Sequence, residues 1–495
     1  MNRLFLLLPV LLAPTALSSD AGDDNDPQHP VCIVGAGPSG LSTAHALEAK
    51  NYSVVVFERE PVVGGKCQSY YDKPDRSTFA AMGPILISNA SYTETLPIAQ
   101  AAGVPFYISK SVTSGYNYPP ISLPNDNNTA VNVTRTPAPT AEQAIAVGLE
   151  LARYKLFWET IWQPRYSAIR YTNGVPEEFT VPMGQWLESE GYQVLPIVIR
   201  QALALAGYDD LDRTPTIYGL QFLPPDILAY FCNVGEVNFI DFHAVMEYYA
   251  KGIHGKLLTS TTVTQLDRSG DTPIVSYVAA GSTEVKNQTC SHVVLAFPPL
   301  IEALTGAQPP NKPTNNSGVD IQDLSSEEKF VFSRVGMTPY LSGAITAPTV
   351  PVNTTYSQLP TRNTGQPILA TKSFENSDVL TTYSWGPFDP YGRSNFTAEQ
   401  AREILKQTYA AVDFGAASGV PGTSIRIEIK DEDFREFRAW DYFPRFQSED
   451  LAGGIYDKFN DIQGYKKTYW VSGLNSFELV EYALRAGKEI VGTFF

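Results

Sequence analysis

The stretch Val31-Cys32-Ile33-Val34-Gly35-Ala36-Gly37-Pro38-Ser39-Gly40-Leu41 leaves this chain few folds to choose from. Four small apolar residues predict a buried strand, G-x-G-x-x-G follows, and Leu41 to Lys50 reads as a helix. Gly35 allows the tight turn, Gly37 lets the backbone approach a pyrophosphate, and Gly40 lets the helix pack closely on the strand. Pro38 and Ser39 lie in the same turn, at a helix N-terminus that offers N–H groups and partial positive charge to an anion. A second strand, Ser53 to Phe57, ends at Glu58, placed to bind a ribose hydroxyl, with Arg59 beside it. The glycines alone would suit any tight turn. Strand, turn, helix, strand and acid together predict a dinucleotide site.

At 495 residues the chain is long for one core and predicts two domains, successive or interleaved. Its net charge of −16 argues against nucleic acid or an anionic membrane surface as partner. Asn2-Arg3, the apolar run Leu4 to Leu12 and the small residues Ala16-Leu17-Ser18 read as a signal peptide over residues 1–18. That run is too short to anchor in a bilayer, and no later stretch reads as a transmembrane segment. N-x-S/T sequons stand at Asn51, Asn89, Asn127, Asn132, Asn287, Asn315, Asn353 and Asn395. Beside a signal peptide they predict a secreted, N-glycosylated eukaryotic protein, of fungal type. Cys32, Cys67, Cys232 and Cys290 allow one or two disulfides at most. Cys32, inside a core strand, is expected to be a small buried hydrophobe. Cysteine and histidine show no metal-ligand spacing, so no metal is expected.

After Glu58, the turn Val63-Gly64-Gly65-Lys66 brings backbone close to a dinucleotide and supplies a cation for a phosphate. A third turn, Gly83-Pro84-Ile85, would line its other end. Helices are predicted over Ser91–Gly103, from a Thr140 cap to Trp162, and over Met183–Glu190, Leu195–Ala206, Ile240–Gly252 and Thr397–Ala411. Residues 111–139 read as an exposed loop or an edge hairpin. Strands are predicted at Gly255–Leu258, Thr262–Leu266, Ile274–Val278, Ser291–Phe297, Phe330–Ala347, Ile368–Thr371, Thr381–Trp385 and Ser424–Ile429.

Gly35 to Gly40, Glu58, Val63 to Lys66, Met82-Gly83-Pro84, Thr262 to Leu266 and Tyr469-Trp470-Val471-Ser472-Gly473 together resemble the flavin-containing amine oxidase superfamily over nearly the whole mature chain. Polyunsaturated fatty acid isomerases and β-cyclopiazonate dehydrogenases look like its nearer members. The resemblance implies an α/β fold in which a discontinuous Rossmann-like FAD-binding domain (29–90, 230–300, 436–495) receives an inserted α+β substrate domain (91–229, 301–435). It implies FAD, with Glu58 on the adenosine ribose, Lys66 on a phosphate, Val263 at adenine, and Gly473, Ser476 and Phe477 near the flavin. Trp440 and Tyr442 would wall the flavin face. Three departures stand out: Phe330–Ala347 holds no lysine of the amine oxidase kind, Leu474 replaces the family's acid, and Arg438–Phe443 has no flavin-linking cysteine. Lys372 ends a later strand without aligning to the missing lysine.

The implied activity is hydride transfer from a small, largely apolar molecule to FAD, reoxidised by O2 or another acceptor. A redox-neutral isomerase of an unsaturated lipid is the alternative, with an amine oxidase or a non-enzymatic flavoprotein behind it. No residue is singled out as catalytic acid or base.

Overall fold

A computed structural model describes residues 28–109, 115–123, 129–306, 318–360, 365–386 and 396–495. The expected signal peptide and the sequons at Asn127, Asn315 and Asn395 lie outside the described residues.

The organising strand is β1 (Val31–Val34), every residue of it buried. With β2 (Val54–Phe57), β3 (Lys256–Leu258), β4 (Val293–Leu295) and β5 (Thr468–Trp470) it makes a five-stranded sheet in the order β3-β2-β1-β4-β5. All neighbours are parallel. Continuous apolar runs such as VCIV and VVVF suit central strands covered on both faces. Helix α1 (Pro38–Ala49) starts three residues before the expected Leu41, because proline's fixed φ suits a first helical position. The last helix, α2 (Val480–Phe494), lies across α1 so closely that a Cβ on Gly487 would come 2.7 Å from the Ser39 carbonyl oxygen. Ser42 Oγ donates to the Leu484 carbonyl at 2.6 Å at the same crossing.

Cys32 is not a free buried hydrophobe: it is disulfide-bonded to Cys290, 258 residues away. Parallel pairing explains this, since Cys32 lies opposite Val293 and the chain entering β4 runs beside β1, with Ser291 N donating to the Pro30 carbonyl. Nothing in the local spacing of the two cysteines announced the pair. Cys67 and Cys232 are free thiols.

A second sheet has seven strands in the order Phe434–Arg445, Gly336–Thr346, Val379–Trp385, Pro367–Lys372, Thr354–Gln358, Tyr116–Tyr118 and Thr134–Arg135. Its last two strands pair antiparallel, so the segment around 111–139 contributes an edge hairpin. The boundary expected at 436 falls inside the strand Phe434–Arg445, which is hydrogen-bonded to Gly336–Thr346. Two strand expectations fail. Phe330 lies inside the helix Ser326–Phe332, started by a capping box between Ser325 and Glu328, and the strand begins only at Gly336. Ser424–Ile429 runs extended but in no ladder: Asp413 Oδ1 accepts from Ile425 N, and Phe414 N donates to the Ile425 carbonyl.

The helical block has the expected helices Ala141–Phe157 (capped by Thr140), Met183–Ser189, Leu195–Leu205 and Phe242–Ala250; that of 91–103 starts at Thr95. Two further helices, Thr216–Phe222 and Pro225–Phe231, were not expected; Pro215 and Pro224 stand at their N-caps. Among the described residues, no helix is long and apolar enough to cross a membrane. No group of three or more His, Cys, Asp or Glu among them is placed to hold a metal.

Candidate active site

One cleft of about 880 Å³ runs from the C-terminal ends of β1 and β2 to the face of the seven-stranded sheet. Such a place, outside the carboxyl ends of parallel strands, is where open α/β sheets bind ligands. At its first end lie Gly35, Gly37, Pro38, Ser39, Glu58 and Arg59. Gly37 is the N-cap of α1, and no side chain caps that helix. Its φ of −75° suits any residue, and a Cβ there would meet nothing nearer than Gly65 Cα at 3.7 Å. The fold does not demand a glycine at 37; the open cradle does. Gly40 is the opposite case, because a Cβ there would run into the Gly35 carbonyl oxygen.

Glu58 is 6% exposed, and its two oxygens accept from Ala36 N at 2.7 Å and Glu60 N at 2.9 Å. Burial pushes its carboxyl above the ordinary value, against the pull of those two amides. Two bonds leave roughly two of the carboxylate's four lone-pair sites for a further donor such as a ribose hydroxyl. Val263, on the strand Thr261–Asp267, completes this end. The uncapped helix start, the open Gly37–Gly65 cradle and the buried acid fit the phosphates and ribose of a dinucleotide.

Gly65, Lys66, Gly83, Pro84 and Ile85 continue the wall, and Gly473, Trp440 and Tyr442 close the far end. The Gly83 turn is held against the second sheet. Trp440 Nε1 and Ser342 Oγ each donate to the Met82 carbonyl at 2.7 Å, and the Tyr383 hydroxyl donates to the Ala81 carbonyl at 2.7 Å. Trp440 and Tyr442 both line the cleft from the strand Phe434–Arg445. Tyr442 is sandwiched by Tyr208 (centroids 5.3 Å apart) and Tyr340 (4.8 Å). Burial pushes all three phenols well above their ordinary value, so they stay neutral.

This aromatic wall is braced from behind. Arg445 Nη2 donates to Asp209 Oδ2 at 2.9 Å, and its Nη1 to Thr338 Oγ1 at 3.1 Å and the Phe443 carbonyl at 3.2 Å. Asp209 (φ 72°) and Phe443 (φ 55°) both adopt the left-handed region, unusual for residues other than glycine. The pair thus pins the two strained bends that present Tyr208 and Tyr442.

Some expected residues stay outside the cleft wall. Gly40 and Gly64 shape the turns behind it. Ser476 Oγ accepts from Gln221 Nε2 at 2.6 Å, and Phe477 is buried against Tyr208 at 4.5 Å. Lys372 is 1% exposed and donates to the Ala347 and Pro348 carbonyls at 2.9 and 3.0 Å, so its ammonium has a structural place. Sequence reading missed Tyr208, Tyr340 and Glu478. Lys66 Nζ lies 2.5 Å from Glu478 Oε1. The only signal for Glu478 is its position just ahead of the last helix.

A family model for an NAD(P)-binding Rossmann-like domain matches residues 33–96. The chain resembles an FAD-dependent oxidoreductase of Cochliobolus heterostrophus, 23% identical over 89% of this chain and 85% of that protein. Among solved structures, a fatty acid isomerase from P. acnes matches 95% of this chain and 99% of its own at TM-score 0.72 and 19% identity. Putrescine oxidase matches 94% and 98% at TM-score 0.58 and 15% identity. Its fold is that of these amine-oxidase-like flavoproteins. The structural likeness covers nearly the whole of each chain, so the expected Rossmann-like, two-domain α/β architecture holds.

Proposed function

We propose that the protein is an FAD-dependent oxidoreductase that removes hydride from a small, uncharged and largely apolar organic molecule. One observation carries the reading: a single cleft joins a dinucleotide cradle at Gly37 and Glu58 to an aromatic chamber at Tyr208, Tyr340, Trp440 and Tyr442. When bound, FAD supplies the hydride acceptor. The residues present would hold its pyrophosphate at the start of α1 and its ribose at Glu58, as the relatives' flavin chemistry suits. The chain's own part is to seat the substrate against the rings, exclude water and keep the chamber neutral.

Charge decides the substrate class. The cations lining the cleft all have acidic neighbours: Lys66 pairs with Glu478, Arg59 with Glu60 at 3.6 Å, and Arg438 with Glu436 at 2.5 Å. None stands ready for a substrate carboxylate. The lysine typical of amine oxidases has no counterpart on Gly336–Thr346, and Lys372 is committed to carbonyls. A redox-neutral double-bond isomerase is the second reading, supported by the fold likeness to the fatty acid isomerase.

Purified protein reconstituted with FAD is expected to show a visible flavin band; its absence would sink the proposal. Under turnover, stoichiometric reduction of O2 or a dye identifies the oxidoreductase. An isomerised product formed without any acceptor identifies the second reading.

We also propose that the chain works in an oxidising secretory compartment. The Cys32–Cys290 disulfide supports this, as do exposed sequon asparagines at 51, 89, 132, 287 and 353. Protein from its native host should lose mass on endoglycosidase treatment; an unchanged mass counts against this placement.

A further inference from the structure

Lys66 and Glu478 stand 412 residues apart in sequence and 2.5 Å apart in space, with side chains 22% and 14% exposed. Both line the cleft. The Tyr208 hydroxyl donates to the Glu478 backbone carbonyl at 2.7 Å, fixing the acid's position, and Lys66 Nζ lies 6.0 Å from the centre of the Tyr442 ring. The pair therefore sits at the aromatic end of the cleft. Two residues beyond Glu478, α2 begins at Val480 with no side-chain cap, and Val480 and Ala483 also line the cleft. This end thus carries the Lys66 ammonium and the start of α2 on the positive side and the Glu478 carboxylate on the negative side, while Glu481 in the first turn of α2 is paired with Arg485 at 2.7 Å.

We propose that Glu478 is a built-in counter-ion to Lys66 that sets how readily the bound cofactor accepts electrons. The inference rests on the flavin reading above and adds an electrostatic residue to it. In hydride transfer a substrate C–H bond breaks, its electron pair and proton pass to the flavin, and the substrate carbon is oxidised. The ring system thereby gains one negative charge. Lys66 and the start of α2 favour that charge, and Glu478 opposes it. Within a cleft walled by Tyr208, Tyr340 and Tyr442, screening by water is weak, so the balance between the two side chains is felt at the cofactor. Neutralising one partner leaves the other's field unopposed, and the two neutralisations have opposite signs.

The test is the midpoint potential of the FAD-loaded full-length protein, equilibrated with a reference dye, for wild type, Glu478→Gln, Lys66→Met and the double variant. FAD affinity is measured alongside. Glu478→Gln is expected to favour the reduced form roughly tenfold, ~30 mV upward for a two-electron couple. Lys66→Met is expected to shift the potential downward, and the double variant to return toward wild type. If Glu478→Gln fails to fold, the downward shift in Lys66→Met still decides the matter. Unchanged potentials in flavin-loaded variants would make the pair a simple tether and overturn the inference, leaving the flavin reading intact. Loss of FAD affinity in Lys66→Met without a change in potential would make Lys66 a phosphate ligand and overturn it too. A wild-type chain that takes up no flavin would remove both proposals together.

Discussion

Gly37→Val is expected to give a folded protein that has lost its flavin. The backbone at 37 is in a region open to all residues, and the nearest obstacle to a Cβ is Gly65 Cα at 3.7 Å. The new methyls would instead occupy the cradle between the start of α1 and the Gly64–Lys66 turn. Filling that space removes the close backbone approach on which pyrophosphate binding depends. The expected result is an unchanged thermal melt, with visible absorbance per protein falling by tenfold or more, on the order of 1.4 kcal/mol or above in binding. Gly40→Ala supplies the contrast. Its Cβ would collide with a backbone carbonyl, so the helix must shift and stability should fall by roughly 1–3 kcal/mol. A Gly37→Val protein that keeps full flavin occupancy would move the pyrophosphate elsewhere.

Asp209→Ala carries the largest expected cost to stability. Asp209 and Arg445 are each 1% exposed, and the guanidinium also serves Thr338 and Phe443. Burial pulls the Arg445 pKa below its ordinary value while the carboxylate of Asp209 pulls it back. Removing the acid strands a buried cation, a change that typically costs about 3–5 kcal/mol. Arg213, which also bonds Asp209, is 37% exposed and can turn to water, so it softens the loss little. Denaturant unfolding measures the effect. Because the pair secures the bends at Tyr208 and Tyr442, residual folded protein should also show a blue-edge change in flavin absorbance as the aromatic wall loosens. An Asp209→Ala protein as stable as wild type would show that the bends hold themselves.

What could be read from the amino-acid sequence was what is local. The run from Val31 to Leu41 declares strand, turn and helix within eleven consecutive residues, and Glu58 follows at the end of the next strand. Trp440 and Tyr442 could be placed in one wall through the resemblance to the flavin-containing amine oxidases, and both do line the cleft. Long-range partners left no such trace. Tyr208 follows a helix in the middle of the chain and Glu478 precedes α2, yet the fold brings them together with Lys66 and Tyr442. The Cys32–Cys290 bridge was hidden for the same reason: parallel register, set by residues 31–34 and 293–295, places the two sulfurs together. Phe330 failed differently. Its apolar neighbours fit a strand, but the Ser325–Glu328 box starts a helix that carries through Phe330 to Phe332. At Ser424–Ile429 the alternation was real, with Ile429 buried, while the Asp413 side chain took the amide a ladder would have used.

The edge strand β5 and the residues just after it have a consequence for biosynthesis. Ser472, Gly473, Glu478 and Val480 form one wall of the cleft, and β5 is the last strand added to the parallel sheet. Translation delivers this wall long after the Gly35–Gly40 turn has left the ribosome. A nascent chain that stops short of Thr468 presents the phosphate cradle without the side that encloses it. Truncation ahead of Thr468 therefore removes a wall of the cleft.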